Sequence, residues 1–256
     1  MRRPSLLLAA LALALLPALA GCALVWRAPV PMRALDYPSP RGPARCLVVF
    51  LPGMGDSAED FAKNGFVDEV QQRGLSIDIV AANATIGYYS RGVFAERLAD
   101  DVVGPRRARG YQQTWLIGPS MGGFGTLFYS RQHLPDVTGV LALAPFLGDR
   151  KLIDEVYAAG GLDRWTGPPR VDKLTPDNYQ REMLRWLQAV ARGQEPAPII
   201  NVGFGRTDKL GRADELLAAV LPPDRVYRTE GGHNWIPWRA LLRQFLDRGD
   251  LARTCR

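Results

Sequence analysis

The chain is short of the residues that most often announce a cofactor. Its 256 residues include only two histidines, His133 and His233, and three cysteines, Cys22, Cys46 and Cys255. They lie singly, so no metal-ligand cluster of the spacing that zinc sites use is present. P-loop, glycine-rich dinucleotide fingerprint and nucleic-acid module are all missing; no cofactor is implied and no nucleic-acid partner is expected. No internal repeat is evident. The longest apolar run, Leu6 to Ala20, falls short of the about 20 residues that an ordinary spanning helix needs. Charge excludes little. The formal net charge of +6 becomes +4 without Arg2 and Arg3, and the densest basic cluster, Arg106, Arg107 and Arg109, reads as a solvated face at a helix end.

Glycine, by contrast, is plentiful, with 26 residues. Five consecutive residues stand out: Gly118-Pro119-Ser120-Met121-Gly122, between the apolar run Thr114 to Ile117 and a small-residue stretch that can continue as a helix. A strand that reverses sharply into a helix forces the intervening serine into a strained conformation, and its neighbours must be small for the turn to close. With seven serines and this glycine content, the G-x-S-x-G pattern arises by accident about 0.07 times per chain of this length. Ser120 is therefore the candidate nucleophile.

A serine hydroxyl needs a base and a carboxylate to orient that base. His133 lies at the far end of the helix that Ser120 opens, many residue rises of about 1.5 Å away, where a donor near the negative helix end is reason enough for it. His233 follows the strand-like Arg225 to Thr229 through Gly231-Gly232 and precedes an amphipathic helix, which places a base at the end of a final strand. The acid should fall between Ser120 and His233. Asp208 leaves the buried strand Ile199 to Gly203 through Gly205-Arg206-Thr207 and is the first choice. Asp149, also beyond a strand, is the alternative, and Asp214 falls inside the following helix. Two backbone donors complete the set: the N–H of Met121, and that of Met54 in Pro52-Gly53-Met54-Gly55 after the strand Cys46 to Leu51. Ser57-Ala58-Glu59-Asp60 has capping-box form.

These four ordered features, Leu51 to Gly55, Gly118 to Gly122, Gly205 to Asp208 and Gly231 to His233, resemble the α/β-hydrolases of the esterase and lipase kind over roughly residues 44 to 248. The resemblance implies a catalytic triad of Ser120, Asp208 and His233, an oxyanion hole at Met54 and Met121, and a serine hydrolase that cleaves carboxylic esters through an acyl-enzyme. Acyl transfer or thioester cleavage by the same triad, and a catalytically silent lipid-anchored binding protein, are the alternatives. Many members carry a histidine where this chain has Pro52, which changes the shape of the loop but not its backbone donor.

The periodicities agree. Six strands are predicted at 46–51, 75–81, 114–118, 137–144, 199–203 and 225–229, with helices at 61–73 and 92–103 between them, giving a mostly parallel sheet covered on both faces within one α/β domain, 44–256. The connection 148–196 exceeds what a crossover needs and carries Tyr179, Met183, Trp186, Leu187 and Val190 on one helical face. It is either a cap over the site or a helix packed on the sheet. Tyr88, Tyr89, Trp186 and Trp235 are candidate walls of a substrate pocket.

At the N-terminus, Arg2-Arg3, the apolar run and Leu19-Ala20-Gly21-Cys22 resemble a bacterial lipoprotein signal. That resemblance implies a signal peptide over 1–21, lipidation of Cys22, a tether over 22–43, and an exported protein held on a membrane of the cell envelope, with Ala23 after the cysteine pointing to the outer one. A simple signal peptide with an incidental cysteine is the alternative. In an oxidising compartment Cys46 and Cys255 are free to pair, and a buried thiol with a frayed tail is as compatible with the sequence. The expected partners are a small-molecule or lipid ester and the membrane.

Overall fold

The computed structural model describes residues 27–255. The signal and Cys22 lie outside them. In chain order the elements are β1 (Ala34–Tyr37), β2 (Cys46–Phe50), α1 (Glu59–Lys63), α2 (Phe66–Gln71), β3 (Ile77–Ala82), α3 (Ile86–Ser90), α4 (Phe94–Leu98), α5 (Gly104–Arg107), β4 (Gln113–Pro119), α6 (Met121–Gln132), β5 (Gly139–Leu143), α7 (Arg150–Ala158), α8 (Tyr179–Ala191), β6 (Ile199–Gly205), α9 (Gly211–Ala218), β7 (Val226–Thr229), α10 (Trp235–Arg248) and α11 (Asp250–Thr254). A π-helical stretch, Ala99–Val103, joins α4 to α5.

The seven strands form one sheet in the order β1-β3-β2-β4-β5-β6-β7, parallel throughout except for β1, which runs antiparallel to β3. The central strands are apolar along their whole length because helices cover both faces: every residue of β2 and of β5 is buried. Register is tight, Phe50 of β2 lying beside Ile117 of β4 and Leu143 of β5 beside Gly203 of β6. All the parallel strands therefore end at one edge, where open α/β sheets place their sites.

Three expectations need correction. The sheet has a seventh strand, β1, inside the segment read as a tether. From Arg27 onward that segment packs on the body: Met32 is buried and its N–H donates to Asp101 at 2.7 Å. The helix expected over 61–73 is two short ones, because Gly65 adopts φ 76° between them. Arg106 is not solvated. It is buried, donates to both carboxylate oxygens of Asp36 at 2.7 and 2.8 Å and to the Val102 carbonyl, and so pins β1 to α5.

Cys46, which opens β2, is disulfide-bonded to Cys255 beyond α11, with Cα atoms 5.7 Å apart and 209 residues between them. The bond closes almost the whole described chain into one loop and ties the last helix to a central strand. No helix among the described residues is long and apolar enough to cross a membrane.

Candidate active site

β4 delivers Ser120 to the carboxyl edge of the sheet and α6 leaves from it at once. Ser120 has φ 53° and ψ −115°, a region that non-glycine residues rarely occupy. The conformation is held from both sides: its N–H donates to the Leu143 carbonyl at 2.8 Å, and its carbonyl accepts the N–H groups of Phe124 and Phe146 at 3.0 and 3.1 Å. Gly122 is required by contact. A Cβ there would lie 1.9 Å from the Leu51 carbonyl oxygen, and one at Gly118 would lie 2.6 Å from the Gly122 carbonyl carbon. Such backbone-to-backbone distances cannot be relieved by rotating a side chain. Strain of this kind costs on the order of 1–3 kcal/mol and persists only where the surroundings over-determine it. The structure thus shows the elbow that the sequence motif describes.

The loops after β6 and β7 bring Asp208 and His233 together. Arg206 N–H donates to Thr229 O, and Thr207 N–H to Gly231 O, so each loop braces the other. They approach so closely that a Cβ on Gly205 would lie 2.1 Å from the Gly231 oxygen. His233 Nδ1 stands 2.8 Å from Asp208 Oδ1 and 3.0 Å from Oδ2. The Asp208 side chain is fully buried and its Oδ1 also accepts the Leu210 N–H at 2.8 Å. That acceptor geometry assigns the imidazole proton to Nδ1 and leaves the Nε2 lone pair outward. The ring is wedged edge-on against Trp238, centroids 4.9 Å apart. Asn234 caps α10 by accepting the Ile236 N–H, which fixes the histidine's loop.

The other candidates stand apart from this pair. Asp149 is the N-cap of α7 and accepts the Leu152 N–H at 2.9 Å. Asp214 sits inside α9, wholly buried with neither carboxylate oxygen hydrogen-bonded; burial, aided by the charge of Asp208, pushes its pKa well above the usual carboxylate range. His133 ends α6, stacked on Tyr129 at 4.5 Å with Nδ1 3.8 Å from Asp136.

The loop after β2 links Ser120 to the segment just beyond His233. A Cβ built on Gly53 would lie 3.7 Å from Ser120 Cβ and 2.8 Å from Asp56 Oδ2, and Asp56 Oδ1 accepts Trp235 Nε1 at 3.4 Å, two residues beyond His233. Asp56 was not anticipated from sequence. Burial raises its pKa, opposed by the Trp235 bond and the nearby imidazole. No direct hydrogen bond joins Ser120 Oγ to His233 among the described residues; such bonds often tighten only when substrate is bound. Met121 opens α6, where the first N–H groups have no acceptor within the helix, and Met54 sits at the exposed tip of its loop.

No family model matches the chain, and no curated protein matches it either. Solved structures do. A ferulic acid esterase superposes with a TM-score of 0.56 at 19% identity, covering 80% of this chain and 84% of that one. Est1E from Butyrivibrio proteoclasticus gives 0.55 at 14% over 84% and 93%. An S-formylglutathione hydrolase from Staphylococcus aureus gives 0.54 at 12% over 86% and 98%. The fold is that of the α/β-hydrolases.

On this α/β-hydrolase frame a cavity of about 590 Å³ opens beside Met121. Its walls are aromatic: Tyr89, Phe94, Phe124, Phe128, Phe146 and Tyr179, with Tyr89 stacked on Phe94 at 4.1 Å. Gly125 of α6 makes room for the Tyr89 ring, since a Cβ there would lie 2.2 Å from its hydroxyl. The long connection contributes Leu174, Thr175, Pro176, Tyr179 and Gln180 to the wall, while Met183, Trp186 and Leu187, further along α8, are buried in the core. Of the four candidate pocket residues, only Tyr89 lines this cavity. Tyr88 is buried with its hydroxyl on the Pro29 carbonyl at 2.7 Å, because successive helical residues diverge by about 100°. Trp186 belongs to the core, and Trp235 packs edge-on against Phe61 and Phe66 beside Asp56. Among the described residues no group of three or more His, Cys, Asp or Glu side chains is placed to hold a metal ion.

Proposed function

We propose that the protein is a serine hydrolase of carboxylic esters. The observation that carries this reading is the imidazole of His233 held through Nδ1 by a buried carboxylate, at the same sheet edge as a serine in an elbow conformation. Ser120 Oγ attacks the ester carbonyl while its proton passes to His233 Nε2. Asp208 stabilises the imidazolium, and the N–H groups of Met121 and Met54 stabilise the oxyanion. Collapse expels the alcohol, which takes the proton from His233. Water then attacks the acyl-Ser120 ester by the same route, releasing the acid. The structural neighbours named as esterases and as an S-formylglutathione hydrolase support hydrolysis of esters and thioesters as the reaction class.

The cavity beside Met121 is the acyl pocket in this reading. Its size falls within the ordinary range for small-molecule sites, and its ring-lined wall favours apolar or planar acyl groups. The test is hydrolysis of nitrophenyl esters of graded acyl length, with a cinnamoyl ester beside them. Turnover of several members with a preference for longer or aromatic acyl groups is expected; turnover of none would overturn the proposal. Asp208→Asn is expected to lower kcat by about 10⁴-fold, through loss of the carboxylate that orients and stabilises the imidazolium. Asp149→Asn should leave kcat within twofold, because asparagine caps a helix as well as aspartate. The reverse pattern would move the acid to α7.

Cys22 is proposed as the lipid-bearing residue of an exported, membrane-held protein, on the strength of Leu19-Ala20-Gly21-Cys22 after an apolar run. Metabolic labelling with a palmitate analogue should mark the wild type and miss Cys22→Ser. A wild type without label would make the chain an ordinary secreted hydrolase.

A further inference from the structure

Large apolar side chains that are exposed are few: among the described residues they are Val30 (68%), Met54 (65%) and Ile236 (84%). Single exposed hydrophobics scattered over a surface need no explanation. These three are not scattered. Met54 is at the tip of the loop after β2, and Ile236 lies next to Trp235 at the start of α10. Val30 follows Pro29, whose carbonyl accepts the Tyr88 hydroxyl from α3, the helix after β3. All three therefore rim the carboxyl edge of the sheet, the edge that holds Ser120. Contacts join their segments into one arc: Arg33 of the Val30 segment pairs with Glu59 of α1 at 2.6 Å, and Trp235 donates to Asp56 in the Met54 loop.

The chain also enters the described body at this rim. The Arg27 carbonyl accepts Thr85 Oγ1 at 3.0 Å, immediately before α3, whose Ile86, Tyr89 and Ser90 line the acyl cavity. Cys22 is five residues earlier, and five residues span at most about 18 Å. Arg91 lies between the lining residues Ser90 and Gly92 and Lys173 next to the lining Leu174; these two and Arg27 form no ion pair among the described residues, while of the nearby acids the lining Glu96 pairs with Arg97 and Asp177, next to the lining Pro176, pairs with none.

We infer that the catalytic edge is a bilayer-docking face, which seats Val30, Met54 and Ile236 at the head-group level of an anionic phospholipid membrane. Substrate esters then enter the aromatic cavity from the membrane. Apolar contact and cationic attraction act together at such a surface. The inference deepens the hydrolase reading and is reinforced by the lipidation of Cys22, whose short reach would hold this face and no other against the bilayer.

The test uses the full chain reconstituted on phosphatidylglycerol–phosphatidylcholine vesicles, with a polarity-sensitive fluorophore on Val30→Cys, on Ile236→Cys, or on Arg109→Cys at the opposite end of the sheet. The labels at 30 and 236 are expected to shift to the blue and to be quenched by nitroxide lipids, and the label at 109 to do neither. The double variant Val30→Glu, Ile236→Glu should hydrolyse a vesicle-embedded long-chain ester at least tenfold more slowly, yet a soluble butyrate ester within twofold of wild type. Equal quenching at all three positions, or none at 30 and 236, would overturn the docking face. Quenching at 30 and 236 in a protein that hydrolyses no ester supports the docking face and counts against the hydrolase reading alone. The same quenching in a protein without palmitate label supports it too, and counts against the lipidation of Cys22 alone.

Discussion

Ser120→Ala is expected to remove ester hydrolysis almost completely, with a loss of turnover on the order of 10⁶-fold, and to abolish covalent labelling by a fluorophosphonate probe. The size follows from the proposed mechanism, in which Ser120 carries the acyl group: an intact His233–Asp208 pair without that nucleophile has nothing to deprotonate. What remains is the residual acceleration of the oxyanion donors and the binding cavity. The fold should be unaffected, because alanine keeps the Cβ and the backbone bonds to Leu143, Phe124 and Phe146 that hold φ at 53°. Circular dichroism and melting temperature are therefore expected to match wild type. Undiminished labelling of the variant would place the nucleophile elsewhere.

The elbow was legible in the sequence because its requirements are local. Two glycines beside a serine, between an apolar strand and a small-residue helix, describe a backbone that few other sequences tolerate, and the contacts at Gly118 and Gly122 show why. The parallel strands were legible for a related reason: doubly covered strands are continuous apolar runs. β1 was not. Ala34–Tyr37 is four residues long, contains Asp36 and lies among prolines, so only its pairing with β3 and the Asp36–Arg106 ion pair make it a strand. The same ion pair explains why the arginine cluster 106–109 does not reveal its role locally: the charge of Arg106 is matched by a residue 70 positions away. The Cys46–Cys255 bond is equally non-local, since it requires that the chain's last helix return beside the start of β2.

Within the site, the sequence could place side chains on loops but not aim them. Asp149 and Asp208 both leave the carboxyl ends of strands. What separates them is that the first is consumed in capping α7, whereas the second is buried against His233. Tyr88 and Tyr89 are neighbours with the same chemistry, yet one supports the N-terminal segment and the other forms the cavity wall. Nothing local in the glycine loop marks Asp56, because its significance comes from Trp235, 179 residues later.

His233→Ala is expected to cost about as much turnover as loss of the nucleophile, on the order of 10⁶-fold, whereas His133→Ala should leave kcat within twofold. The two histidines differ in what faces them. His233 Nδ1 is held at 2.8 Å by a buried carboxylate, so its other nitrogen is left free on the edge where Ser120 projects. Removing it leaves Asp208 as an unpaired buried charge and Ser120 without a proton acceptor. His133 ends α6, twelve residues beyond the first helical position, with its ring against Tyr129 and its nearest charge the half-exposed Asp136. Its loss removes one stacking contact and a solvent-screened interaction, below about 1 kcal/mol of stability. Steady-state hydrolysis of a soluble nitrophenyl ester by the two variants, with thermal melting of each, checks both halves. Similar rates in the two would mean that the base is neither histidine, and that the Asp208–His233 pair serves only to brace the loops after β6 and β7.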